Sequence, residues 1–423
     1  MMVRILTTGP GLRKDTTMPA LDGLRVLDMT QYEAGTSCTQ ALAWHGADVV
    51  KIEQPGVGDP GRGVGSGDAI DSHYFINWNA NKRSVTINLR DERGKALLFE
   101  MLPHYDVFVE NYGPGVMEKL GLTYEALKEV HPSIIYARLK GFGLSGPFAN
   151  FKSFDPVAQN AAGAFSVTGE EGGPPMRPGA CVGDSGTGMQ LAFAITSAYV
   201  QKLRTGEGQH IEISMQEAMT YYVRTPVAGT QSWGDVAAER RGNGWNGPTD
   251  LYPCKPLPDS NGADDYLYII ALTTRMWDTF CAAMDRPDMV VDPRFADEQA
   301  RIDNNDALKA EIRAWTLQHT KWEAMQILGE AGVPCSATHS TFDLFHNPHF
   351  DEREFIQDID HPEWGPIRLL GWAPKMSKSN VPMTAAPLLA EHTREVLCDD
   401  LGIEGEEFAR LEAEGIVSSR NGA

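Results

Sequence analysis

No apolar run in the 423 residues reaches the roughly 18 needed to cross a bilayer as a helix, so no membrane span is expected. Paired cysteines are missing too. Cys38, Cys181, Cys254, Cys281, Cys335 and Cys398 lie far apart with no CxxC, which argues against a disulfide frame or a zinc site and for reduced thiols in a cytoplasmic protein. Basic charge is scarce: 37 Lys and Arg against 57 Asp and Glu leave a formal charge of −20, which disfavours nucleic acid or an anionic membrane as partner. An anionic ligand would need a local basic patch. No GxGxxG follows the first expected strand, which speaks against a nicotinamide or flavin cofactor. Internal repeats and low-complexity tracts are absent.

The chain is long enough for two domains. Residues 1–17 read as disordered, or as lying ahead of a translation start at Met18. Apolar runs at 25–29, 48–53, 85–89, 106–110, 134–139 and 209–214 read as buried strands, separated by helical stretches at 36–45, 90–102, 116–120 and 124–130. This alternation predicts an α/β, Rossmann-like sheet. The glycine-rich Gly61–Gly67 reads as a mobile loop. Ligands of such sheets sit at the carboxyl ends of strands, where Glu33, Arg90, Asn111, Tyr112, Lys119 and Lys140 fall. Glu53, at the end of the second strand, stands where a dinucleotide fold keeps its ribose-binding acid. The resulting division is a large domain over 18–223, an aperiodic linker over 224–250, a small α+β domain over 251–345, and a return linker with the rest of the large domain over 346–423. A Pro- and Trp-rich stretch over Pro362–Pro387 is followed by a helix over 391–397. His346 and His349 flank Pro348, which breaks the helix needed to align them on a metal.

Asp184 is set among glycines 179, 183, 186 and 188, ahead of an apolar helical stretch beginning at Gln190. It can be a helix N-cap. It can also be a nucleophile, kept ionised by the helix N-terminus, with nearby N–H groups ready to hold an oxyanion. Spacing alone leaves both open.

The segments LDGLRVLDMT, GADVVKIEQPGVGD, NANKRS, DVFVENYGPG, KGFG, VGDSGTGM, RTGEGQHIEISMQEA and APLLAEHT, in this order from Leu21, resemble the class III CoA-transferases, and formyl-CoA transferase-like members most closely. The resemblance implies an interlocked homodimer, with a large domain built from both chain ends and a smaller one between linkers. It implies no resident cofactor or metal, with acyl-CoA and a small carboxylic acid as substrates. Asp184 matches the family nucleophile, which passes through an acyl-aspartyl anhydride and an aspartyl-CoA thioester. Candidate CoA contacts by motif are Glu33, Gln54, Ile87, Arg90, Asn111, Tyr112, Gly113, Lys119, Lys140 and Met215, with Arg90, Lys119 and Lys140 toward phosphates and Tyr112 on adenine. Asp155 is a candidate for orienting substrate; without a ligand it reads as an Asx turn before Pro156. Glu33 stands where formyl-CoA transferase has a glutamine and Gln54 where it has an arginine, and Arg241–Gly247 lacks that enzyme's glycine run. The family's racemase branch needs a histidine before Asp155, where Phe154 stands. An acyl-CoA racemase and a non-catalytic CoA-binding protein are the alternatives.

Overall fold

A computed structural model describes residues 18–65, 71–245, 247–258, 260 and 262–420; the expectations for 1–17 and for Ser66 and Gly67 fall outside them. The chain divides into two compact units. The larger takes in 18–164, 177–225 and 355 onward.

In chain order its elements are β1 (Arg25–Met29), α1 (Ala34–Ala43), β2 (Asp48–Glu53), α2 (His73–Asn79), β3 (Arg83–Thr86), α3 (Glu92–Met101), β4 (Val107–Glu110), α4 (Val116–Leu120), α5 (Tyr124–Val130), β5 (Ile135–Lys140), α6 (Asp155–Ala161), α7 (Val182–Thr205), β6 (His210–Ser214) and α8 (Met215–Thr220). The strands form one six-stranded sheet in the order β3-β2-β1-β4-β5-β6, parallel throughout. Such a sheet is covered on both faces, which is why its strands read as near-continuous apolar runs. Successive residues serve opposite layers. Leu27 and Phe108 pack with Leu98 of α3 and with Phe408 of the C-terminal helix Gly405–Ala413, whereas Val26 and Val107 pack with Leu42 of α1 and Leu191 and Ile195 of α7.

Two sequence expectations are revised here. The expected loop at Gly61 is, over Pro60–Gly63, a 3-10 turn capped by Asp59, because Arg62 is buried by ion pairs to Glu53 and Asp71. Gly365–Leu370, inside the Pro- and Trp-rich stretch, pairs with Ile356–His361 just ahead of it as an antiparallel hairpin. The helix expected at 391–397 is present but shifted toward the C-terminus, as a π-helix over Glu395–Asp400, and is followed by the unanticipated helix Gly405–Ala413, whose Phe408 and Leu411 complete one core layer.

The smaller unit takes in 165–176 and 226–354. Its three-stranded antiparallel sheet, β7 (Asp250–Pro253), β8 (Tyr266–Ile269) and β9 (Cys335–Ala337), packs with helices over a core that includes Trp277, Phe280, Leu308 and Ile312. A short helix, Arg224–Gly229, lies within the stretch read as aperiodic.

Candidate functional site

The strand order of the larger unit reverses between β1 and β4, and a crevice at the carboxyl ends of strands opens at such a switch point. The two loops leaving it are tied together. The Gln31 N–H donates to Asn111 Oδ1 (2.8 Å), Asn111 Nδ2 donates back to the Gln31 carbonyl (2.8 Å), and Gln31 Nε2 donates to the Tyr112 hydroxyl (3.1 Å). Buried ions fix the first loop from beneath. Lys51 pairs with Asp59 (2.9 Å) and donates to the Thr30 carbonyl (2.7 Å), while Asp59 accepts from the Tyr32 N–H (3.1 Å), holding Tyr32 at a left-handed φ of 59°.

α7 brings Asp184 to this crevice. It can approach α1 only through glycine: a Cβ on Gly188 would lie 2.1 Å from Ser37 Oγ and 2.6 Å from the Ala34 carbonyl oxygen. One on Gly183 would lie 2.8 Å from the Asp155 carbonyl oxygen. The helix starts at Val182, eight residues earlier than the apolar pattern suggested, with Cys181 at its N-cap position. Asp184 therefore sits in the first turn and is not the cap. Its backbone N–H donates to Asp155 Oδ1 (3.2 Å), so Asp155, opening α6, spans two helix starts and forms no isolated Asx turn. Gln159 Nε2 donates to both Asp155 carboxylate oxygens (2.9 and 2.8 Å), and Arg177 reaches Asp155 at 3.9 Å.

The expectation that the helix N-terminus keeps the Asp184 carboxyl strongly acidic is overturned. Burial, reinforced by Asp155, pushes it up to about 7. Desolvation outweighs the helix-end field because no basic side chain pairs with Asp184 among the described residues. Burial, with Asp184 and Asp155, likewise pushes Glu33 up to about 8.

Two cavities meet at the Tyr112 side chain. The first, about 180 Å³, is lined by Tyr32, Asn111, Tyr112, Gly113, Lys140, Phe154, Met215 and, as its one acid, Asp184. The second, about 300 Å³ and over the ends of β1 to β3, is lined by Gln54, Ile87, Arg90 and Tyr112. Thus most of the sequence-derived candidates are brought together. Lys119 is not: it is exposed on α4, whose Val116 and Leu120 face the second cavity instead. Lys140 lines the first cavity, but its ammonium is engaged by Glu110 (2.7 Å) and the Tyr112 carbonyl (2.6 Å), so it is not the free cation expected for phosphate; exposed Lys152 lines the same cavity. Glu33 and Asp155 are not among the residues that line either cavity. Glu53 is chelated by Arg62 (2.7 and 2.8 Å) and is structural. The Lys51–Asp59 clamp escaped sequence reasoning. Its signal was charge inside a buried strand, the Lys and Glu of DVVKIE. Among the described residues no group of three or more His, Cys, Asp or Glu could hold a metal, and His346 stacks on Phe342.

The model of CoA-transferase family III matches residues 21–393. The chain is 38% identical over 414 residues to formyl-CoA:oxalate CoA-transferase of Streptomyces coelicolor, covering 95% of this chain and all of the relative. It is 36% identical over 417 residues to the protein of that name from Rhodopseudomonas palustris, covering 94% and 97%. Among solved structures it resembles a CAIB/BAIF family protein from Brucella suis, with a TM-score of 0.80, 28% identity and coverage of 90% of this chain and 99% of that one. Rv3272 from M. tuberculosis gives a TM-score of 0.76 at 27% identity, covering 89% and 99%. With motifs, fold and relatives agreeing along nearly its whole length, the chain belongs to CoA-transferase family III and is an enzyme acting on CoA thioesters.

Proposed function

We propose that the protein transfers CoA from an acyl-CoA, formyl-CoA by analogy with its named relatives, to a free carboxylate such as oxalate, with Asp184 as nucleophile. The observation that carries this reading is a lone carboxyl in the first cavity wall, free of any cation and pushed up to about 7. Desolvation makes such a carboxylate more basic and more nucleophilic than one in water, and it titrates close to working pH. Asp184 attacks the thioester carbon, the C–S bond breaks, and CoA thiolate and an acyl-aspartyl anhydride form. The thiolate then attacks the aspartyl carbonyl, releasing the donor acid and leaving an aspartyl-CoA thioester. The acceptor carboxylate displaces CoA from that thioester, and the thiolate takes the acceptor's acyl group from the mixed anhydride, restoring Asp184. Each step keeps the acyl group activated. Enclosure by Tyr32, Phe154 and Met215 limits hydrolysis of the anhydride.

The nucleotide end of CoA belongs in the second cavity, with exposed Arg90 at a phosphate and Ile87 and Tyr112 offering apolar surface, while the thioester passes Tyr112 toward Asp184. An interlocked homodimer in the cytoplasm accompanies this reading. The test is mass spectrometry after mixing protein, formyl-CoA, oxalate and hydroxylamine. A hydroxamate on Asp184 together with new oxalyl-CoA supports transfer. An unmodified Asp184, with turnover persisting in Asp184→Ala, overturns it.

A further inference from the structure

Asp59 borders the second cavity beside Gly58 and Pro60, although it is only 2% exposed. Its two carboxylate oxygens face different partners. Oδ2 lies 2.9 Å from the Lys51 ammonium, whereas Oδ1 accepts from the Tyr32 N–H (3.1 Å) and the Gly61 N–H (2.8 Å). The loop that carries Asp59 is seated on buried charge: the Asp59 N–H donates to Glu53 Oε2 (2.8 Å), and a Cβ on Gly58 would lie 2.8 Å from Arg62 Cδ. Lys51 ties the acid to the next loop, since the same ammonium donates to the Thr30 carbonyl (2.7 Å), two residues before Tyr32. Tyr32 belongs to the first cavity. It lines that cavity with Asp184 and meets Phe154 edge-on, with ring centroids 5.9 Å apart at 86°. A residue with a Cβ keeps a left-handed backbone only where its surroundings impose it, and here Asp59 is the side chain that holds the Tyr32 N–H. One carboxylate thus borders the second cavity and fixes the backbone of a wall residue of the first.

We infer that Asp59 is a positioning residue for the transfer: the nucleotide end of CoA, seated against Gly58–Pro60, holds Asp59 on the Tyr32 N–H and so sets the wall beside which the thioester meets Asp184. This rests on the proposed placing of CoA across the two cavities. Thioester and carboxylate react only within a narrow range of separations and angles, so a fixed wall acts on kcat. Binding energy from the nucleotide, which takes no part in the chemistry, goes into orienting the reacting end. A thioester that lacks the nucleotide should therefore lose kcat as well as affinity, and the missing piece supplied separately should restore kcat.

The test uses formyl-pantetheine and phosphoadenosine diphosphate, the nucleotide end of CoA without its thiol arm. At saturating formyl-pantetheine and oxalate, this fragment should raise wild-type kcat about tenfold, where a molecule that merely filled a CoA site would compete or do nothing. In Asp59→Ala, kcat for formyl-CoA should fall about tenfold with KM little changed, and the fragment should no longer activate. Hydrogen exchange read at the Tyr32 amide needs neither turnover nor a variant. The fragment should slow that exchange about tenfold in the wild-type protein, and in folded Asp59→Ala exchange should be fast with or without it. A fragment that binds by calorimetry yet leaves the wild-type Tyr32 amide unchanged overturns the inference, as does one that activates Asp59→Ala as much as the wild type. If the fragment slows the Tyr32 amide while hydroxylamine fails to trap Asp184, the nucleophile is refuted and the positioning role stands. A fragment that does not bind overturns both the placing of CoA and the role of Asp59.

Discussion

Replacing Asp184 by Asn should stabilise the protein, and by an amount that grows with pH. The Asp184 carboxyl is held near 7 in the folded protein against an ordinary value of 3.8. Between those values the folded chain keeps a proton that the unfolded chain has released, so wild-type stability falls as pH rises. The slope for one proton is about 1.4 kcal/mol per pH unit, and three units give about 4 kcal/mol as the ceiling. Water in the open cavity screens part of this, which brings the expected plateau to about 2–4 kcal/mol. Asparagine has no such charge to bury. Urea unfolding of both proteins at half-unit steps from pH 4 to 8.5 reads the difference directly. The stability gap should be small at pH 4, widen steadily to about pH 7 and then level, while CoA transfer is lost at every pH. A gap that is constant across this range would refute the claim that burial and Asp155 strain Asp184, because a purely steric effect of the substitution carries no proton.

The other expectations test neighbouring parts of the same structure. Transfer should depend on ionised Asp184, so kcat/KM should rise with pH through about 7, and Asp155→Asn, which removes a negative neighbour, should move that limb to lower pH in a pH–rate profile. Arg62→Met leaves Glu53 and Asp71 buried without their cation and should cost about 3–5 kcal/mol in denaturant unfolding, far more than a surface Arg. Tyr112→Ala removes the wall shared by both cavities and the hydroxyl that Gln31 engages. It should raise KM for acyl-CoA about tenfold with a smaller change in kcat, as steady-state kinetics would register.

The sheet was legible because parallel strands covered on both faces must be short apolar runs. β1 and β2 have the ranges their sequences suggested, and α4 and α5 follow their 3.6-residue periodicity. The start of α7 was not legible. Glycine has no apolar side chain to report a period, and here Gly183, Gly186 and Gly188 are required by packing against Asp155, Tyr222 and α1. The helix Gly405–Ala413 was missed for a different reason: its opening turn is acidic and polar, and only Phe408 and Leu411 reach the core. At the site, strand-end loops singled out Asn111 and Tyr112 and a run of glycines singled out Asp184, and the structure brings all three to one cavity. Neither signal could show that Lys140 is consumed by Glu110, since that pairing joins β5 to β4 across the sheet.

Charge pairing across the larger unit gives an independent reason to propose chemistry at Asp184. Among its described residues, each buried acid apart from Asp184 and Glu33 has a Lys or Arg partner within 3.9 Å. Asp28 has Lys82, Asp59 has Lys51, Glu53 and Asp71 share Arg62, Glu110 has Arg138 and Lys140, and Asp155 has Arg177. A fold that pairs its buried carboxylates this consistently has the means to neutralise two more, and a lysine beside Asp184 would relieve most of the strain discussed above. It would also drive the Asp184 carboxyl back to the acidity of a solvent aspartate, lowering its basicity and making it a good leaving group where a nucleophile is required. On the proposed reading, leaving Asp184 without a cation trades stability for reactivity, the pattern expected where titratable groups are held away from their ordinary values for catalysis.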